Sequence, residues 1–155
     1  DETAGELAVR LSEIGADMIN GVLTEIENGK VTRVKQDDGK AFVVRTIKKE
    51  QAEINFDKSA RNIKQFILGM NPSPIAYTSL CGKKLKIYKA TVADGDCAGK
   101  IGEAVKVDKE LLIKTGDGLL NITELQEEGG KKMDAKSFLA GRKIKLGDVL
   151  GEKND

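Results

Sequence analysis

Between Lys58 and Ala93 the chain carries seven basic residues (Lys58, Arg61, Lys64, Lys83, Lys84, Lys86 and Lys89) and no Asp or Glu. A second group, Lys131-Lys132 with Arg142, Lys143 and Lys145, is diluted by a single acid, Asp134, between Lys131 and Gly147. The chemistry open to such groups is charge neutralisation. A surface of this kind releases counterions when it meets a polyanion, and log K falls by ~0.9 per phosphate neutralised against log salt. In the run G-K-K-L-K-I-Y-K-A (Gly82–Ala90), strand alternation sends Leu85 and Ile87 to one face and Lys84, Lys86 and Tyr88 to the other. Two readings of that outer face stay open. It can neutralise phosphates and offer a ring for stacking, as single-strand binders do, or its lysines can protect a sheet edge from pairing.

Covalent and acid–base chemistry is poorly served. The sequence has no histidine, which removes the commonest general acid/base, the Ser-His and Cys-His nucleophiles and the usual transition-metal ligand. The two cysteines, Cys81 and Cys97, follow no ligand spacing and read as reduced thiols, with neither a disulfide scaffold nor a zinc site. Gly116-Asp117-Gly118 lacks the Gly-Lys-Ser/Thr of a phosphate loop and reads as a hairpin turn. Asp94-Gly-Asp96 resembles a calcium loop, but Val105 stands where the bidentate Glu should fall, so a surface loop is expected. Glu127-Glu128 reads as a solvated pair. No catalytic residue, resident cofactor or metal is expected.

The elements that must position the cations follow from pattern. Thr3-Ala-Gly-Glu6 fits a capping box, and Leu7, Leu11, Ile14, Met18, Val22 and Ile26 then recur every three or four residues until Gly29. A lone helix with such a stripe needs a partner: a domain elsewhere, or another copy of the chain. Residues 31–39 read as a polar turn, and 41–47 (A-F-V-V-R-T-I) as an extended segment within a connector. A second helix runs from about Asp57 or Ser59 to Met70, burying Ile63, Phe66, Ile67 and Met70. Two prolines, Pro72 and Pro74, block its continuation. Short strands follow, including 101–107, 111–115 and 119–126, consistent with a meander. Asp134 caps a brief helix with Met133 and Phe138 as a hydrophobic staple and Gly141 as its stop. The expected class is mainly β with α, a small OB-like barrel preceded by a helix and a connector.

The length of 155 residues and 39% hydrophobic content suffice for one domain with an extra arm. The near-neutral net charge of +1 conceals a division: residues 1–57 carry −4, and residues 58–155 carry +5. No run of ~20 apolar residues spans a bilayer, and no signal-peptide pattern opens the chain. A cytoplasmic protein is expected. The chain starts at Asp1 almost on a helix start, which suggests a piece of something longer.

Three runs carry a resemblance: E-I-N-F-D-K-S-A-R-N-I-K-Q-F-I-L-G-M-N-P-S-P-I-A-Y-T (Glu53–Thr78), Gly82–Ala90, and D-G-L-L-N-I-T-E-L-Q-E-E-G-G-K-K-M-D-A-K-S-F-L-A-G (Asp117–Gly141). Together they closely resemble the C-terminal part of methionyl-tRNA formyltransferases. The opening Asp1–Asp17 looks like the last helix of that family's catalytic domain. The pattern L-Q-x-x-G-G-K-x-M-x-x-x-x-F-L-x-G is fairly specific to the family.

The resemblance implies a parent enzyme that transfers a formyl group from 10-formyltetrahydrofolate to methionyl initiator tRNA. Its Rossmann-like N-terminal domain would hold the catalytic Asn, His and Asp, all upstream of this chain. An OB-like C-terminal domain would help hold the tRNA. The division implied is a remnant of the catalytic domain in 1–34, a connector in 35–50 and the tRNA-binding barrel in 51–155, inactive alone. Two positions depart from the family pattern: Ser73 stands where many members have Trp, and Leu68 where many have Arg. The tRNA contacts expected are Lys83, Lys84, Lys86, Lys89, Lys131, Lys132, Arg142, Lys143 and Lys145, with Lys35, Arg45, Lys48 and Lys49 as a second tier. The alternatives are the tail of a sugar-nucleotide formyltransferase, or a free-standing OB module for single strands, for which only Tyr77 and Tyr88 offer aromatic platforms.

Overall fold

The computed structural model describes residues 1–95, 97–141 and 143–152. Helix α1 (Ala4–Glu27) starts with the capping box: the Glu6 amide donates to the Thr3 hydroxyl, and the Thr3 amide donates to the Glu6 carboxylate. Gly29 at φ +68° follows its end. No residue of α1 is buried. Its stripe faces outward, with Leu11, Met18 and Ile26 all more than half exposed. A single-turn 3-10 helix at Asp38–Lys40 makes the polar turn. Ala41–Ile47 pairs with no strand, so the extended segment expected there adds nothing to the sheet, and Phe42, Val43 and Val44 lie exposed.

Burial begins at Ala52, in a second 3-10 helix (Lys49–Ala52). Helix α2 (Ala60–Gly69) is capped by the Ser59 hydroxyl, which accepts the Asn62 amide at 3.3 Å. Ile63 and Ile67 are buried on its inner side, and Phe66 and Met70 are half-buried against the core.

Six antiparallel strands follow: β1 (Tyr77–Leu80), β2 (Lys83–Ala93), β3 (Ala104–Val107), β4 (Leu111–Lys114), β5 (Leu119–Glu127) and β6 (Met133–Asp134). Helix α3 (Ala135–Ala140) has the expected Asp134 cap and Gly141 stop. The sheet order is β1-β2-β5-β4-β3, with β6 on β5. β3, β4 and β5 form the anticipated meander, but β2 crosses over to pair with β5, an order no local pattern encodes.

The two ends of this curled sheet are joined by the chain's final described stretch. On the β3 side Ala104 donates to the Asp148 carbonyl, and Leu150 to that of Gly102; on the β1 side Gly151 donates to the Ser79 carbonyl at 2.9 Å. The result is the small barrel-like unit expected from the strand pattern. Its interior is filled by Leu85, Ile87, Leu111, Ile113, Leu120, Ile122, Leu125 and Phe138, all at most 2% exposed. Each side chain so buried contributes about 1.5–3 kcal/mol over leaving it in water. No helix among the described residues is long and apolar enough to cross a membrane.

Candidate nucleic-acid interface

β2 is buried at Leu85, Ile87 and Ala90 and exposed at Lys83, Lys84, Lys86 and Lys89. Strict alternation would turn Lys89 inward. A bulge prevents this: Ile87 pairs with Leu125, Lys89 with Glu124 and Ala90 with Ile122. The extra residue leaves both Tyr88 and Lys89 off the buried face. Register places Ser79 beside Lys84, and Tyr77 and Gln126 on either side of Lys86. The Tyr88 hydroxyl donates to the Gln126 side-chain oxygen at 2.6 Å.

The second cluster divides. Lys132, on the turn between β5 and β6, lies 5.1 Å from the centre of the Tyr88 ring and 2.7 Å from the Glu124 carboxylate. Lys143 forms an ion pair with Glu127 and lines, with Lys83 and Lys84, a depression of about 350 Å³. Lys131 is exposed beside Lys132. Lys145 lies apart, in the turn against β3 where its amide donates to the Asp148 carboxylate, and it shares no hydrogen bond or ion pair with β2. Arg142 is outside the described residues. The fold therefore brings Lys132 and Lys143 to the β2 row and leaves Lys145 elsewhere. In the helical group, Lys58 and Arg61 are exposed and Lys64 is half-buried in an ion pair with Asp1. The second-tier cations Lys35, Arg45, Lys48 and Lys49 are all exposed along the connector.

Two expectations need correction. Glu127 and Glu128 are not a solvated pair: Glu127 holds Lys143, and the Glu128 carboxylate accepts the Lys84 amide at 3.3 Å. The tyrosine rings are not open platforms, because Lys84 stands 4.2 Å from the centre of the Tyr77 ring and Lys132 covers Tyr88. Burial is the main cause that raises the Tyr77 phenol, with the Glu53 and Glu50 charges adding to it, so the ring is neutral at ordinary pH. Lys83, Lys86, Lys89 and Lys131 make no ion pair with any described residue. The face is a row of lysines punctuated by carboxylates from β5. The sequence run without acids hid this, since Glu124 and Glu127 arrive from a strand more than thirty residues later.

Gly116-Asp117-Gly118 is the turn of the β4–β5 hairpin. Asp94 lies in a bend after β2; Asp96, the other half of the calcium-like loop, is outside the described residues. Among the described residues no group of three or more Cys, Asp or Glu could hold a metal ion, and Cys81 and Cys97 are free of disulfides.

A family profile described as "Formyl transferase, C-terminal domain" matches residues 46–143. The methionyl-tRNA formyltransferase of Alkaliphilus metalliredigens is 38% identical over 155 residues, covering 99% of this chain and 49% of that protein. That of Lachnospira eligens is 41% identical, covering 97% and 50%; that of Carboxydothermus hydrogenoformans is 44% identical, covering 96% and 48%. The chain thus spans about half the length of the curated relatives it matches. Among solved structures, a variant of HypX from Aquifex aeolicus superposes at TM-score 0.68 with 17% identity, over 89% of this chain and 26% of that one. HypX in complex with tetrahydrofolic acid superposes at 0.64 with 19% identity, over 83% and 23%. At that identity the likeness is one of fold. Residues 46–143 include α2, all six strands and α3, and by that match the chain belongs to the formyl transferase C-terminal domain family.

Proposed function

We propose that this chain is the C-terminal half of a methionyl-tRNA formyltransferase and that its barrel grips initiator methionyl-tRNA while chemistry occurs on an N-terminal catalytic half. The observation that carries the reading is the outer face of β2, where Lys83, Lys84, Lys86 and Lys89 stand in a row with Lys131, Lys132 and Lys143 beside it. In this reading residues 1–34 belong with the catalytic half, which covers the apolar face of α1. Residues 35–50 connect, and residues 51–155 form the tRNA-binding domain. The other half binds 10-formyltetrahydrofolate and supplies the groups that move the formyl unit, in the cytoplasm. The chain alone, without histidine, does not formylate, and its uncovered α1 face is free to pair with a second copy.

The contribution of the barrel is positional. Phosphate contacts fix register and orientation without reading sequence. Holding the aminoacylated end at a remote site turns an encounter between two molecules into a step within one complex. The test is a titration of the chain with initiator tRNA over a range of salt, with heparin as a polyanion control. Binding tighter than to heparin, with log K falling about 4 to 5 per decade of salt, is expected from the five row lysines without carboxylate partners (Lys83, Lys84, Lys86, Lys89 and Lys131) at ~0.9 each. No salt-sensitive tRNA binding would overturn the reading and favour a formyltransferase tail with a smaller acceptor.

A further inference from the structure

Among the described residues, α1 is fastened to the barrel through its first turn and the residue that opens the chain just before it. The Gly5 amide donates to the Asn71 carbonyl at 3.0 Å, and Asp1 pairs with Lys64 of α2. The fit at Gly5 is tight: a Cβ there would lie 2.7 Å from Pro72 Cδ, inside van der Waals contact with a ring fixed to the backbone. Gly15 and Gly21, further along the same helix, have nothing within 4 Å. Asn71 also reaches the other way. Its side-chain amide donates to the carbonyl of Tyr88 at 3.2 Å, at the bulge that leaves Tyr88 and Lys89 off the buried face. One residue therefore touches both the root of α1 and the backbone of the cationic row.

We propose that Gly5 and Asn71 form a joint that sets the direction in which α1 leaves the barrel relative to the cationic face of β2, with Asn71 as a positioning residue. A helix of 24 residues is about 36 Å long at 1.5 Å per residue, so a tilt of about 10° at its root moves its far end by about 6 Å. Any body packed on α1 would move with it. That the joint aligns a bound tRNA with a catalytic half rests on the function proposed above; the joint itself does not.

The experiment compares residual dipolar couplings of the wild-type chain with those of Gly5→Ala, Asn71→Asp and Gly15→Ala, at concentrations where the chain is monomeric. Gly5→Ala puts a methyl against Pro72, and Asn71→Asp keeps the shape while removing the donor to Tyr88. Gly15→Ala raises helix propensity as Gly5→Ala does but meets nothing. In the wild type and in Gly15→Ala, one alignment tensor is expected to fit both α1 and the barrel. In Gly5→Ala and Asn71→Asp the alignment fitted to α1 should depart from that of the barrel, while barrel amide shifts and hydrogen exchange stay as in the wild type. A wild-type tensor in Gly5→Ala, or an equal departure in Gly15→Ala, would overturn the joint. If Asn71→Asp loosens the barrel, Gly5→Ala decides alone, since Gly5 lies outside the core. Titration of Gly5→Ala with initiator tRNA should stay within about twofold of the wild type, because no lysine of the row is substituted. If the wild type binds none, the functional reading fails while the tensors still decide the joint.

Discussion

The Lys132 ammonium lies over the Tyr88 ring, 5.1 Å from its centre, and so joins the turn after β5 to the outer face of β2. The ring serves as a seat for a cation, which at an exposed site contributes about 0.5–1 kcal/mol. A base stacked on an open aromatic contributes about 1–3 kcal/mol. Tyr88→Leu is therefore expected to weaken tRNA binding only about two- to fivefold. A loss of a hundredfold in a filter-binding titration would mean that Lys132 swings away and a base takes its place.

Charge reversal on the row should cost far more. Lys84 and Lys86 point outward on the same strand, and neither forms an ion pair among the described residues. Lys84→Glu combined with Lys86→Glu should flatten the slope of log K against log salt by about 1.8, two phosphates' worth. Unchanged affinity and slope would remove this strand from the interface.

Glu127 competes with a phosphate for Lys143. Such a partly exposed pair is worth about 0.2–1 kcal/mol, and an incoming phosphate must displace the carboxylate. Glu127→Gln should thus tighten tRNA binding by up to about fivefold and steepen the salt slope by about 0.9, because Lys143 then contributes a released counterion. Weaker binding would show instead that Glu127 holds Lys143 in its working position.

Local chemistry explains which parts of this structure were legible in the sequence. The caps at Thr3, Ser59 and Asp134 and the hairpin at Gly116-Asp117-Gly118 depend on a few adjacent residues, and each forms as its motif requires. The outward lysines of β2 followed from alternation as far as Tyr88. The bulge that keeps Lys89 off the buried face arises from pairing with β5, a partner more than thirty residues away, so no local period announces it. The carboxylates that interrupt the cationic row, and the Lys132 that covers Tyr88, are likewise products of the β2–β5 crossover, whereas Lys84 reaches Tyr77 within the β1–β2 hairpin. Lys145 neighbours Lys143 in sequence, yet a buried residue, Ile144, lies between them and the chain turns away to β3.

Gly116 lies where two backbones meet. Its amide donates to the Phe56 carbonyl at 2.8 Å, and a Cβ would lie 2.0 Å from the Asp57 carbonyl oxygen. No rotamer relieves that overlap, since the obstacle is main chain. Gly116→Ala is expected to destabilise the barrel by about 3 kcal/mol or more, at the upper end of overpacking costs. In a thermal melt it should be set against Gly69→Ala, a site with nothing within 4 Å. Equal melting temperatures would mean that the 53–57 segment does not pack on the hairpin as described.

Acid should loosen α3 through its cap. The Asp134 carboxylate accepts the Ser137 amide at 2.8 Å and the Ser137 hydroxyl at 3.1 Å, and these donors, the amide first, hold its pKa below the ordinary aspartate value. A carboxyl whose folded pKa is lowered contributes stability that is fully present above its unfolded pKa and is lost as pH falls through the folded one. Protection of the Ser137 amide against hydrogen exchange should therefore decline as pH drops below the ordinary aspartate range. Asparagine caps helices about as well as aspartate and does not titrate. Asp134→Asn should keep the protection at neutral pH and flatten its acid limb, while the other lowered carboxyls, Glu2, Glu6 and Asp108, titrate alike in both proteins and cancel in the difference. An identical acid limb in Asp134→Asn would place the acid sensitivity of α3 elsewhere than in its cap.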